Sequence, residues 1–193
     1  MVKEKPVLGI IGGGQLGSML ATAAKKLEIK TIVLSDDPKA PVKKFCDELI
    51  ISKYDKIKSI EEFAYKVDIV TFEFENIPSE VLEHILRLKP VYPKPSINKI
   101  IQNRFTEKQF VTNLGFKTTN YALIKNQLDT LNNEDLLPGL LKTCTLGYDG
   151  KGQFVINNKE EASKLEVEFD KEYILEKKVN LKKEISVVIT RFL

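Results

Sequence analysis

The stretch Val7-Leu8-Gly9-Ile10-Ile11-Gly12-Gly13-Gly14-Gln15-Leu16-Gly17 decides how the first half of the chain is read. Val7 to Ile11 is a short apolar run that stops at glycine, the pattern of a buried strand. Leu16, Met19, Leu20, Ala23, Ala24 and Leu27 then recur at helical spacing and predict one apolar helix face. Between strand and helix, Gly12, Gly14 and Gly17 satisfy the pattern G-x-G-x-x-G. Glycine there allows a tight turn and lets an anion approach the free N–H groups at the helix start. Asp36 and Asp37 follow about 20 residues on, where a dinucleotide fold carries its ribose-binding acid. Taken alone, the motif fits either a dinucleotide site or a tight turn that packs helix on sheet. Ser35-Asp36-Asp37-Pro38 also reads as plain turn chemistry.

Working outward, Thr31 to Leu34, Glu48 to Ile51 and Asp68 to Phe74 predict further strands. Ser59 to Lys66 and a segment opened by Asn76-Ile77-Pro78 and running to Leu88 predict helices, and Val91-Tyr92 a last short strand. Repeated βα units of this kind predict a doubly wound α/β domain with a parallel sheet. Pro93-Lys94-Pro95 marks the expected boundary, giving residues 1–95 and 96–193. Beyond it, Ser96 to Asn103 and Thr106 to Leu114 read as helices, the second stopped by Gly115. Thr119 to Ile124, Leu140 to Thr143, Phe154 to Ile156, Tyr173 to Leu175 and Ile185 to Thr190 read as strands, and Asn158 as the cap of a short helix over Glu160 to Leu165. This second part reads α+β with an antiparallel sheet.

Composition narrows the class. The chain has 193 residues, 42% hydrophobic, with a net charge of +3, so it is not disordered as a whole. No run approaches the roughly 18 apolar residues of a membrane helix. The start passes directly into the first strand, without the pattern of a signal peptide. Cys46 and Cys144 are too few for a disulfide framework, and a reducing cytoplasm is the expected home. Apart from Arg87, Arg104 and Arg191 the basic residues are lysines, interleaved with acids and without aromatic platforms. That reads as a solvated surface rather than a nucleic-acid face.

A second glycine loop follows Lys142: Gly147-Tyr148-Asp149-Gly150-Lys151-Gly152-Gln153, set between two strands. Its N–H groups can fold over phosphates, with positive charge from Lys142 and Lys151. It lacks the G-K-[ST] ending, and no helix follows, so it is not a Walker-type loop.

The glycine turn, then Thr71-Phe72-Glu73-Phe74-Glu75-Asn76, then Leu146 to Gln153, in that order, resemble the 5-(carboxyamino)imidazole ribonucleotide synthases of the ATP-grasp superfamily, over roughly the N-terminal half of such an enzyme. The resemblance implies a pre-ATP-grasp substrate domain over residues 1–95 and the N-terminal part of an ATP-grasp domain over 96–193. The activity it implies is ATP- and Mg2+-dependent carboxylation of aminoimidazole ribonucleotide by bicarbonate, through carboxyphosphate, in purine biosynthesis. A cytoplasmic homodimer is implied too.

By the same resemblance Arg104 would face the ATP phosphates and Lys142 would hold the α/β-phosphate region. Gly147, Tyr148, Asp149, Gly150, Lys151, Gly152 and Gln153 would close over the nucleotide. Glu176, Lys177, Lys178 and Val179 would form the adenine hinge, and Glu184 would bind the ribose hydroxyls. Gln15, Glu75 and Tyr148 would contact the imidazole ribonucleotide, while Tyr148, Asp149 and Lys151 would serve the chemistry. On residue type alone, Glu176 and Glu184 read as surface acids. His84, with no partner at ligand spacing, reads as solvated. Cys144, with no accompanying histidine, is not read as a nucleophile.

Two departures from the family stand out. Thr143-Cys144-Thr145 lies where the family often has arginine, and Ile185 to Leu193 contains no acid. Metal ligands are therefore expected beyond this chain, and little turnover is expected from the 193 residues alone. The competing readings are a nicotinamide-dependent oxidoreductase, resting on Gly12, Gly14, Gly17 and Asp36, and a non-catalytic remnant.

Overall fold

A computed structural model describes residues 5–73, 75–147 and 152–189. The chain divides into two compact units, Met1–Asn103 and Arg104–Leu193.

The first unit runs β1 (Leu8–Ile11), α1 (Gln15–Lys26), β2 (Thr31–Ser35), β3 (Glu48–Ile51), α2 (Ile57–Tyr65), β4 (Ile69–Phe72), α3 (Ser79–Leu86) and α4 (Pro95–Ile101). The strands form one parallel sheet in the order β3-β2-β1-β4, and Val91 adds a bridge to Val70. Alternate strand residues feed two cores. Ile11, Leu34 and Val70 face Phe63 of α2 and Leu82 and Ile85 of α3. Ile10 and Val33 face Ala21 of α1 and Val42 of a 3-10 turn over Pro41–Lys44. Helices on both faces make this the doubly wound arrangement that the alternating pattern predicts. The 3-10 turn was not anticipated.

Helix α1 is turned part-way from the face expected: Ala24 of that face is buried and Leu20 packs on the core, but its other large residues are exposed. Gly17, Ser18, Ala21 and Ala24 are buried, whereas Leu16, Met19 and Leu27 are 59%, 61% and 64% exposed. The cause is close approach: a Cβ on Gly17 would meet the backbone oxygen of Gly12 at 2.8 Å. Helix α4 also falls in the first unit, so the contact boundary lies after Asn103, beyond the Pro-Lys-Pro segment. Asn98 of α4 is buried, and its Nδ2 donates to the Ile77 carbonyl at 3.2 Å.

The second unit runs α5 (Arg104–Asn113), β5 (Tyr121–Ile124), α6 (Gln127–Asn132), β6 (Gly139–Thr143), β7 (Gln153–Ile156), α7 (Lys159–Ser163) and β8 (Tyr173–Lys177). Its sheet is antiparallel, in the order β5-β8-β6-β7. Ile124, Leu141, Ile156, Ala162 and Leu175 form the core beneath it. Gly115 stops α5 with φ of +83°, in the left-handed region that glycine tolerates. Asn158 caps α7 by accepting from the Glu161 N–H. Helix α6 was not anticipated, although Asn126 caps it in the same way through the Asp129 N–H. The strand expected over Ile185 to Thr190 does not form across residues 185–189, which are exposed and irregular. A β-branched run needs a ladder partner, and this segment pairs with none of the described strands. Thr190 lies outside the described residues.

Candidate functional site

In the first unit the chemistry-bearing residues gather where β1 and β4 end. Strand order reverses between these two strands, which is where open α/β sheets place their ligands. Parallel register sets Ile11 beside Phe72, so the next residues, Gly12 and Glu73, also lie opposite one another. The Glu73 N–H donates to the Ile11 carbonyl at 3.0 Å. Its carboxylate turns back over the glycine turn, where Oε1 accepts from the Gly14 N–H at 2.9 Å and Oε2 from the Gly17 N–H at 3.1 Å.

Gly12 holds φ of +99°, and a Cβ there would come within 2.5 Å of the Glu73 Cγ. Glu73 was not singled out from sequence. The available signal was an acid just past a central strand, beside a glycine turn with no acid in its own first helical turn.

Gln15 is the exposed first residue of α1. Glu75 is exposed as well, and its backbone carbonyl accepts from Gln102 Nε2 at 2.6 Å. The same amide donates to the Ile77 carbonyl, so Gln102, just past α4, ties down the segment leaving β4. Gln15 and Glu75 thus lie at the same end of the sheet. Phe74, between the two glutamates, lies outside the described residues. Asp36 is exposed in the turn after β2, where Asp37 Oδ1 accepts from the Lys39 N–H at 2.8 Å. His84 is not simply solvated: its Nε2 lies 3.2 Å from Glu61 Oε1, joining α3 to α2. With Tyr54, Val81 and Arg87 it lines a cleft of about 550 Å3.

In the second unit three charged side chains from different elements converge. Glu176 of β8 is 8% exposed. Lys142 Nζ of β6 donates to its Oε2 at 2.8 Å, and Lys108 Nζ of α5 lies 3.4 Å from its Oε1. Lys108 also stands 5.9 Å from the Tyr121 ring centroid, at cation–π range. Two cations around one carboxylate leave a local excess of positive charge, the balance a phosphate ligand needs.

Arg104 is held by backbone carbonyls. Its Nη1 donates to the Thr143 carbonyl at 2.8 Å and its Nη2 to the Gly147 carbonyl, so the guanidinium spans both ends of the Thr143–Gly147 turn. On the far side of the loop Gly152 has φ of +70°, and a Cβ there would lie 2.9 Å from Thr143 Oγ1. Gln153 begins β7. Tyr148, Asp149, Gly150 and Lys151 lie outside the described residues.

The expected hinge residues are partly engaged within the unit. The Lys177 carbonyl accepts from Thr119 Oγ1 at 2.7 Å, and the Lys178 N–H donates to the Pro138 carbonyl at 2.9 Å. Val179 and Glu184 are exposed beyond β8.

Cys144 is 1% exposed, and burial pushes its thiol from an ordinary value of 9.0 up to about 11. It is a protonated packing residue, not a nucleophile. Among the described residues no three acids, cysteines or histidines come together to hold a metal ion. Magnesium therefore has no ligand set among the described residues. No helix among the described residues is long and apolar enough to cross a membrane.

Comparison with known proteins agrees with both halves. Residues 6–102 match the ribonucleotide synthetase preATP-grasp domain, and residues 109–193 match the ATP-grasp domain. The chain is similar to the N5-carboxyaminoimidazole ribonucleotide synthase of Bacillus subtilis (strain 168), 41% identical over 191 residues, covering 96% of this chain and 50% of that protein. A crystal structure of the Staphylococcus aureus N5-carboxyaminoimidazole synthetase complexed with ADP superposes with a TM-score of 0.84 at 34% identity, over 94% of this chain and 49% of that one. The Aspergillus clavatus synthase in complex with ADP and 5-aminoimidazole ribonucleotide matches with a TM-score of 0.77 at 25% identity, over 92% of this chain and 48% of that one. The chain spans about half the length of the curated relatives it matches.

Proposed function

The chain belongs to the ribonucleotide synthetase pre-ATP-grasp family, continued by an ATP-grasp domain, and from that membership we propose that it serves the ATP-dependent carboxylation of aminoimidazole ribonucleotide. The first unit supplies ribonucleotide contacts through Gln15 and Glu75. The second binds ATP, with Lys142 on the phosphates, the loop from Gly147 to Gln153 over them, the backbone from Glu176 to Val179 at the base, and Glu184 at the ribose. Arg104 acts by fixing both ends of the turn that leads into that loop. Tyr148, Asp149 and Lys151 orient the amine and the carboxyphosphate. Bicarbonate, Mg2+ and a homodimer belong to the same reading.

The observation that carries it is the buried Glu176 carboxylate shared by Lys142 and Lys108 beside the loop base. Such a set holds a lysine ammonium at a fixed point in a partly dry site, where a positive charge attracts phosphate more strongly than in water. The nicotinamide reading has less support, because the Glu73 carboxylate lies at the glycine turn on which it depends.

Calorimetric titration with a non-hydrolysable ATP analogue and, separately, with NADH tests the assignment. The analogue is expected to bind, and Lys142→Met to weaken it by about tenfold or more, the loss of one charge-assisted contact. Binding of NADH without binding of the analogue would overturn it.

A further inference from the structure

We propose that Glu73 is the permanent anion of the glycine turn: it stands where a dinucleotide fold holds a phosphate, and so closes the turn to phosphate ligands. A helix start leaves N–H groups without intrahelical partners and carries a partial positive charge, so it calls for an anion. Helix α1 has no acid in its own first turn. Glu73 answers from β4, with one carboxylate oxygen on the Gly14 N–H at 2.9 Å and the other on the Gly17 N–H at 3.1 Å.

The space is given over to the same group. A Cβ on Gly12 would approach the Glu73 Cγ to 2.5 Å, and one on Gly14 would approach Oε1 to 2.9 Å. The glycine pattern is thus explained by an internal carboxylate as completely as by a bound pyrophosphate. The carboxylate is also delivered rigidly, because the Glu73 N–H continues the β1–β4 ladder onto the Ile11 carbonyl. A phosphate arriving at this turn would find two of its donors occupied and a negative charge already in place. Glu73 is therefore a positioning residue for the first turn of α1, and it excludes pyrophosphate.

Glu73 closes the turn in this way whichever substrate the unit takes. Inorganic pyrophosphate is the probe, followed by the backbone amide resonances of Gly14 and Gly17. In the wild-type chain these amides are expected to stay unmoved at millimolar pyrophosphate. In Glu73→Ala they are expected to shift saturably, with affinity raised by roughly tenfold or more. Pyrophosphate is expected to raise the Tm of that variant and not of the wild type, a rescue that a packing role alone would not produce. Glu73→Gln fills the same space without the charge and serves if the alanine variant fails to fold; it too is expected to bind more tightly than wild type. Equal shifts at Gly14 and Gly17 in wild type and variants, or a folded variant that gains no pyrophosphate binding, would overturn the proposal.

Discussion

At the scale of single residues the second unit turns on Glu176, whose carboxylate has cations from two other elements against it. Replacing it with glutamine leaves Lys108 and Lys142 facing each other across a group that no longer neutralises them. Glu176→Gln is expected to lower stability by about 2 kcal/mol, between the loss of an ordinary hydrogen bond and that of a fully buried pair. Lys108→Met should cost less, since Lys142 retains the shorter contact. Urea unfolding with an unchanged m-value checks both.

Cys144 offers a second measurement. Its thiol titrates near 11 in the folded chain and near 9.0 when unfolded, so the folded state holds the proton longer. The stability it contributes is complete below the unfolded value and is lost as pH rises through the folded one. Wild type is expected to lose stability between about pH 9 and 11, and Cys144→Ala to lose less over the same window. At pH 8 the thiolate fraction is about a hundredfold below that of an ordinary thiol, so alkylation should require unfolding. Little of this was legible in advance. Glu176-Lys177-Lys178 reads as a solvated run because the partners that bury the glutamate come from elements distant in sequence. The loop lysine and the glycines, by contrast, announce themselves locally.

Among the elements, α1 shows what periodicity resolves and what it leaves open. That a helix follows the glycine turn was legible, but which side faces the sheet was not. The expected stripe splits: Ala24 is buried and Leu20 packs on the core, while Leu16, Met19 and Leu27 are exposed and Gly17, Ser18 and Ala21 take the inward positions. These three face inward because the helix start lies so close to the turn that only small residues fit. Two of the glycines with left-handed backbones, Gly12 and Gly115, should therefore respond differently to alanine. Gly115→Ala meets nothing within 4 Å, so its cost is the backbone term alone, about 1–2 kcal/mol. Gly12→Ala adds a steric clash with Glu73 and is expected to cost more and to disturb the Gly14 and Gly17 amides. Thermal melts paired with amide spectra separate these outcomes. Capping was read correctly at Asn158 and missed at Asn126, although the two caps have the same geometry. Either Asn→Ala change should cost about 1 kcal/mol.

For the molecule as a whole, each unit has its own sheet and its own apolar core. Residues 1–103 expressed alone are expected to fold, with the circular dichroism of an α/β domain and protected amides in β1, β2 and β4. The parallel unit was read nearly whole from sequence because each of its strands is a self-contained apolar run. The antiparallel unit was read less well at its end, where the apolar run from Ile185 to Thr190 suggested a strand. Ile185, Val187, Val188 and Ile189 are 86%, 71%, 92% and 83% exposed, and residues 185–189 carry no charge. Such a stretch can template intermolecular cross-β stacking, and Lys182, Lys183 and Glu184 immediately before it act as gatekeepers. Their repulsion between molecules reaches only about 10 Å at 0.1 M salt and less above it. Concentrated samples at high ionic strength should therefore seed thioflavin-positive fibrils that a Val188→Lys variant resists.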